Sequence, residues 1–198
     1  MRRLVVATRN EGKVREIAAI LSDLPVEVVS LFEYPDYPET PENGVSFAEN
    51  AVLKARAAAN YTSEISLADD SGLVVEALGG QPGIYSSRFA GEDASDEERY
   101  RKVLSLMQDV PDEKRTARFV CAAVVAVGGD VTVVHGACEG VIAHSPRGTQ
   151  GFGYDPIFFI PELGRTMAEL SPEEKNRISH RARALEKAKA VVRGMLGE

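Results

Sequence analysis

Two aspartates stand side by side at Asp69 and Asp70, followed by Ser71 and Gly72. Adjacent carboxylates repel each other unless a cation or a proton relieves them. Oxygen-only donors suit Mg²⁺, which keeps several waters and bridges to phosphate oxygens. In a strand successive side chains point to opposite faces, so one aspartate is expected to face a site while the other orients its neighbours. Glu39, Glu42 and Glu49 are the further acids that could join a metal, with Glu49 already placed as a helix-cap partner. Near the N-terminus, Thr8-Arg9-Asn10-Glu11-Gly12-Lys13 joins an apolar strand to a helix. Backbone N–H groups at a helix start favour anions. Gly12 allows close approach of the main chain, and Thr8, Asn10 and Lys13 add donors and one positive charge. The GxxxxGK[ST] spacing of a Walker loop is missing, and an ordinary polar turn capped by Asn10 is the plain alternative.

Two further clusters lie toward the C-terminus. In Gly151-Phe152-Gly153-Tyr154-Asp155-Pro156, glycines on both sides of Phe152 clear space for a planar group to stack on the ring, and Asp155 could accept a hydrogen bond from it. A tight strand entry explains the same composition. Lys175 and Ser179-His180-Arg181 offer cations for phosphate and donors for a carbonyl, although scattered basic residues on a helix usually mark a solvated face.

These groups need elements to hold them. Leu4–Ala7 reads as a short buried strand, and Val14, Ile17, Ala18 and Leu21 as one face of a helix over 13–23. Ser46 with Glu49, Ser95 with Glu98 and Ser171 with Glu174 are capping boxes that open three helical stretches. In the last stretch Ile178, Ala182, Leu185 and Val192 form an apolar stripe. Ile65–Ala68 and Leu73–Val75 read as strands flanking an acidic turn. Phe119–Val127 and Val131–His135 are joined by Gly128-Gly129-Asp130 as a hairpin, and Ile157–Ile160 is a short strand. Strands alternating with helices, plus a hairpin, predict an α/β domain with a mixed sheet.

Composition narrows the class. At 198 residues and 44% hydrophobic, the chain fits one domain over 1–198 with a sizeable core. Thirty acids against 23 bases give a net charge of −7, which argues against sequence-blind binding to nucleic acid or to anionic membranes. The longest apolar run, Phe119–Val127, is about half of a bilayer span. The few apolar residues after Arg3 are too short for a secretory segment, so a cytoplasmic location is expected. Cys121 and Cys138 lack any CxxC pattern and read as buried, reduced thiols.

Taken together, TRNEGK at 8–13, SFAENAVLKA at 46–55, ADDSGL at 68–73, LGGQPGIYSSRFAGEDA at 78–94, GFGYDPIFF at 151–159 and EEKNRISHRARAL at 173–185 resemble the RdgB-like inosine/xanthosine triphosphate pyrophosphatase family, in order and over essentially the whole chain. The resemblance implies an ITPase-like α/β fold: an elongated mixed β-sheet flanked by helices, with two lobes around a central cleft, in a homodimer. It implies Mg²⁺-dependent hydrolysis of ITP, dITP and XTP to the monophosphate and pyrophosphate, which removes deaminated purines from the nucleotide pool. By that similarity Thr8, Arg9, Asn10, Glu11, Gly12 and Lys13 hold the triphosphate, Asp70 takes the catalytic and metal role with Glu42 as second acid, and Ser71 contacts substrate. Phe152, Gly153, Tyr154 and Asp155 frame the base, and Lys175, His180 and Arg181 complete the pocket. His180 or Arg181 then donates to the C6 oxygen of the base, where adenine presents an amino donor instead. A Maf-like pyrophosphatase of other base preference and a non-catalytic nucleotide sensor are the rival readings. The GFGYDP and SHR segments speak against the first, and aligned carboxylates beside a phosphate turn against the second.

Overall fold

The computed structural model describes residues 2–197. In chain order the elements are β1 (Arg2–Val6), α1 (Glu11–Ile20), β2 (Val26–Ser30), α2 (Phe47–Thr62), β3 (Ile65–Val75), α3 (Asp96–Leu106), β4 (Thr116–Val127), β5 (Asp130–Ile142), β6 (Phe158–Ile160), β7 (Arg165–Thr166), α4 (Pro172–Ile178) and α5 (His180–Leu196). The strands form one open sheet in the order β2-β1-β3-β4-β5-β6-β7. β1 runs parallel to both β2 and β3, pairing Leu4 with Val28 on one side and with Ile65 on the other. At the far end β6 lies antiparallel to β5 and β7. Gly128 and Gly129 join β4 to β5, both at positive φ (54° and 98°), as the tightest hairpin turns require. The mixed α/β sheet expected from the sequence is what the structure contains.

The chain divides into two compact units: one holds residues up to Asp70, Cys121–Gly136 and those from Arg181 onward, the other Ser71–Val120 and Ala137–His180. The first unit has an apolar cluster on each face of its strands. Leu4, Val6, Ile65 and Leu67 pack with Ile17 of α1, with Leu21 just after it, and with Ala182, Leu185 and Val192 of α5. On the opposite face Val5, Ala7 and Ala68 pack with Ala51, Ala55 and Ala58 of α2. The spacing of those alanines lets the helix lie close to the sheet. The second unit has its own core, built from Leu73, Val75, Phe119, Ile142, Phe158 and Met167 with Val103 of α3 and Met107 just after it.

Four sequence readings need correction. The acidic segment is not a turn between two strands, because β3 runs unbroken through Asp69-Asp70-Ser71-Gly72. The stripe from Ile178 to Val192 is split: α4 ends at a non-helical Ser179, Ile178 packs in the second unit's core, and Ala182, Leu185 and Val192 pack in the first unit's. At α2, Ser46 accepts from the Glu49 amide, but the Glu49 carboxylate turns to the Val45 amide (3.0 Å) rather than closing the box. The strand placed over 157–160 begins one residue later, after a short 3₁₀ turn over Asp155–Ile157. The boxes at Ser95 and Ser171 are reciprocal as expected.

Candidate functional site

Alternation along β3 decides what each aspartate meets. Ile65 and Leu67 face α1 and α5, and Asp69, two residues on, continues that face. Asp69 is buried; its Oδ2 accepts from Arg181 Nε (3.2 Å) and Nη2 (3.1 Å), and its Oδ1 lies 3.1 Å from Lys13 Nζ. Burial pushes this carboxyl up, but Lys13, Arg181 and Lys54 together hold it well below the usual carboxylate range. Arg181 also binds Glu16, and these two acids overcome its burial to keep it firmly charged. The Cys121 thiol lies 3.9 Å from Asp69, and burial pushes its ionisation far up.

Asp70 continues the opposite face, toward α2. Its Oδ1 accepts from Lys54 Nζ at 2.9 Å and its Oδ2 from Asn50 Nδ2 at 3.3 Å. Lys54 Nζ also donates to Glu42 Oε1 at 3.0 Å, so two carboxylates converge on one ammonium. Burial raises the Asp70 pKa; Lys54 and Lys13 oppose this, and Glu42 adds to it. Burial disfavours charge on Lys54, but Asp70, Glu42 and Asp69 outweigh it and hold the ammonium protonated. Asn50 and Lys54 stand four apart on α2 and so share a face. The Asn50 Oδ1 accepts the Gly44 amide (2.8 Å), where a Cβ on Gly44 would lie only 2.7 Å from that oxygen.

At the β1–α1 turn, Thr8 Oγ1 accepts the Asn10 amide (3.1 Å) and Asn10 Oδ1 caps the Lys13 amide (3.0 Å). The Glu11 and Gly12 amides, first in the helix, have no partner among the described residues. Arg9 turns away, donating to the carbonyls of Tyr34 and Tyr37 at 3.0 Å each. It anchors the proline-rich loop that carries Glu42. Of the three acids considered with the aspartates, only Glu42 reaches Asp70's partner; Glu39 is exposed and Glu49 caps Val45.

In the second unit the glycine–aromatic loop is held by its own side chains. Asp155 Oδ2 accepts from Lys175 Nζ (2.6 Å) and from the Phe152 amide (3.0 Å). Lys175 Nζ lies 4.8 Å from the centre of the Phe152 ring. Gly151 adopts φ +74°, and a Cβ there would fall 2.0 Å from Asp155 Oδ2. Tyr154 is buried with its hydroxyl donating to the Ser86 carbonyl (2.7 Å). His180 is buried and stacks on Phe119, ring centres 4.7 Å apart. Ser71 follows Asp70 in β3 and is half-buried.

The whole chain now has a known counterpart. The model of the Ham1 family matches residues 4–191. The chain belongs to the Ham1 family. It is 57% identical over 188 residues to a dITP/XTP pyrophosphatase of Geobacillus kaustophilus, covering 94% of this chain and 92% of the relative. It is 58% identical over 186 residues to a dITP/XTP pyrophosphatase of Geobacter sulfurreducens, covering 93% and 94%. A solved HAM1 protein from Coxiella burnetii superposes with a TM-score of 0.88 at 44% identity, covering 98% of this chain and all of that one. The resemblance drawn from the motifs is thus borne out by family, relatives and fold.

Within this Ham1 chain, three of the residues expected to contact substrate make contacts inside the protein. Arg181, expected at the base, places Nε and Nη2 on Asp69 and Nη1 on Glu16, and breaking the first pair would strand the buried Asp69 carboxylate. Arg9 faces loop carbonyls, and the Tyr154 hydroxyl is used within the core. Lys54 and Asn50 were missed. They sit inside an alanine-rich helix, and their i, i+4 spacing, which puts an amide and a cation on one face beside the buried alanines, was the available signal.

A divalent cation can be tested against the donor set. Glu42 and Asp70 are hard oxygen donors that already converge on a positive charge. No group of three or more His, Cys, Asp or Glu residues forms a closed metal cage among the described residues. Two carboxylates supplemented by water and substrate oxygens is how Mg²⁺ is ordinarily held, so the residues fit such an ion.

Proposed function

We propose that this chain is a Mg²⁺-dependent pyrophosphatase of non-standard purine nucleoside triphosphates, converting dITP, XTP and ITP to the monophosphate and pyrophosphate. The observation that carries the reading is near-full-length identity, above 50%, to dITP/XTP pyrophosphatases. Glu42 and Asp70 are the residues that would hold Mg²⁺, which when bound neutralises phosphate charge and polarises a water.

The chain's own groups supply the rest. Lys13 and the open Glu11 and Gly12 amides bind phosphate oxygens, with Thr8 and Asn10 fixing the turn that presents them. Lys54 adds a positive charge beside Asp70. Asp70 orients the water that attacks the α-phosphorus. Ser71 contacts substrate beside it. Phe152 stacks on the base, held by Asp155 and Lys175, with Gly153 giving the ring room. With Arg181 committed to Asp69, His180 is left as the donor to the C6 oxygen of the base. The family likeness supports a homodimer acting in the cytoplasm; no helix among the described residues is long and apolar enough to cross a membrane.

Pyrophosphate release from dITP, XTP, dGTP and dATP with Mg²⁺ tests this. dITP and XTP are expected to turn over fast, and dATP about 10⁴-fold more slowly, because a C6 amino group leaves donor facing donor. Equal rates on all four would sink the selectivity, and orthophosphate as product would sink the pyrophosphatase reading.

A further inference from the structure

Phe152 lies between two peptide groups, and each is anchored by a carboxylate. Its own amide donates to Asp155 Oδ2 at 3.0 Å. The next amide, that of Gly153, donates at 2.7 Å to Asp96 Oδ2, a residue 57 positions away in sequence. Asp96 opens α3 but is not needed to cap it. The Ser95 hydroxyl takes the Glu98 amide and the Glu98 carboxylate takes the Ser95 amide, closing the cap without it. The other Asp96 oxygen accepts from Arg99 Nη1 at 2.9 Å, one turn along the helix, which holds the carboxylate in one rotamer.

We infer that Asp96 is a positioning residue for base selectivity, acting through Phe152. The Gly153 N–H belongs to the peptide plane that follows the Phe152 Cα, so fixing its direction fixes ψ of Phe152. The Asp155 contact fixes the plane before it. Together they set the direction of the Phe152 Cα–Cβ bond and hence where the ring lies. Gly153 sits at φ +64° with open space where a side chain would be, so hydrogen bonds rather than packing keep its peptide from swinging: the short Asp96 contact on the N–H side and a longer one, 3.3 Å from the Asp155 amide, on the Phe152 carbonyl. A carboxylate acceptor makes the bond a strong one. Tyr154, the following residue, is tied through its hydroxyl to Ser86 and through its carbonyl to the Ile157 amide, and neither bond involves the peptide between Phe152 and Gly153.

The inference rests on the reading that Phe152 stacks on the base, and the experiment separates the two. Steady-state kinetics on dITP and dGTP with Mg²⁺ are measured for the full chain and for Asp96→Ala, Asp96→Asn, Asp96→Glu and Phe152→Ala, with a melting curve for each. Asp96→Ala is expected to raise KM for dITP about tenfold with kcat nearly unchanged, and to lower the dITP-over-dGTP ratio of kcat/KM by about as much. Asp96→Asn, which keeps an oxygen for the Gly153 N–H, is expected to return KM to within about threefold of the parent. Asp96→Glu keeps the charge at the helix start but displaces the acceptor. It is expected to behave like the alanine variant, and it stands in for that variant if alanine does not fold. Loss of kcat on both substrates in equal proportion, with KM and the ratio unchanged, would show a merely structural role and overturn the inference. If Phe152→Ala raises KM and lowers the ratio while neither Asp96→Ala nor Asp96→Glu does, Asp96 is overturned and the stacking reading stands. If Phe152→Ala changes neither quantity, the stacking reading falls and the role of Asp96 falls with it.

Discussion

The acidic end of β3 and the glycine–aromatic loop are both fixed in place, but by different physics. Around Asp69 and Asp70 the restraint is charge: three cations, Lys13, Lys54 and Arg181, are each paired with buried or half-buried acids on one face of the strand or the other. Around Phe152 the restraint is backbone geometry: two glycines at positive φ and two amides captured by carboxylates. A charge cluster tolerates small shifts of its atoms but not loss of a charge. A backbone clamp tolerates loss of a charge where an acceptor oxygen remains, but not a methyl group added at Gly151. The first arrangement suits binding and activating a polyanion, and the second suits holding a ring at one angle.

The largest effect should come from removing the Asp70 charge while keeping its shape. Asp70→Asn is expected to cut dITP turnover about 10³-fold, the scale of a lost general base. The melting temperature should stay close to the parent's, because Glu42 still pairs Lys54. A variant retaining most of the parent's kcat would remove Asp70 from the chemistry and leave the strand's charges as mere scaffolding.

Adding one methyl group tests the other region. At Gly151 an alanine Cβ would meet Asp155 Oδ2 at 2.0 Å, in a backbone conformation that disfavours side chains. Relief requires Asp155 to move off Lys175, breaking a buried ion pair. Gly151→Ala should therefore cost about 3 kcal/mol in chemical denaturation. Gly153→Ala, which has the positive φ but no obstruction, should cost only about 1–2 kcal/mol. Equal losses at the two glycines would mean that conformation alone, and not the Asp155 contact, holds the loop.

The same contrast explains how much could be read from sequence. The acids, the polar turn capped by Asn10, the capping serines and the alternation of strands and helices were legible because each rests on local composition or period. Asp-Asp-Ser-Gly is poor strand material on propensity, so the unbroken β3 was not legible. What carries it are ion pairs with Arg181, 112 positions away, and with Lys13 and Lys54. The ion pairs of Arg181 were hidden for the same reason: a basic side chain does not announce which carboxylate it will meet, and Glu16 lies 165 positions from it. Lys54 was hidden by the alanines around it, and Asp96 by a capping box that accounted for its neighbours without needing it.

The smallest predicted effect separates the two regions most cleanly. Glu42 and Asp70 share Lys54, and Glu42 is the more exposed of the two, with 32% of its side chain accessible against 10%. Water therefore screens the Glu42 charge more than that of Asp70. Glu42→Gln keeps the shape and removes one of two anionic ligands. Lys54 can then close fully onto Asp70, offsetting part of the negative charge that attracts a cation. The half-maximal Mg²⁺ concentration for dITP hydrolysis should rise about tenfold, while kcat at saturating Mg²⁺ falls no more than about threefold. Glu39→Gln and Glu49→Gln, whose carboxylates do not reach Lys54, should leave the Mg²⁺ midpoint where it is. The dITP-over-dGTP ratio should be untouched by Glu42→Gln, because selectivity belongs to the loop and not to the charge cluster. A Glu42 variant that changed the ratio but not the Mg²⁺ midpoint would reverse that division of labour.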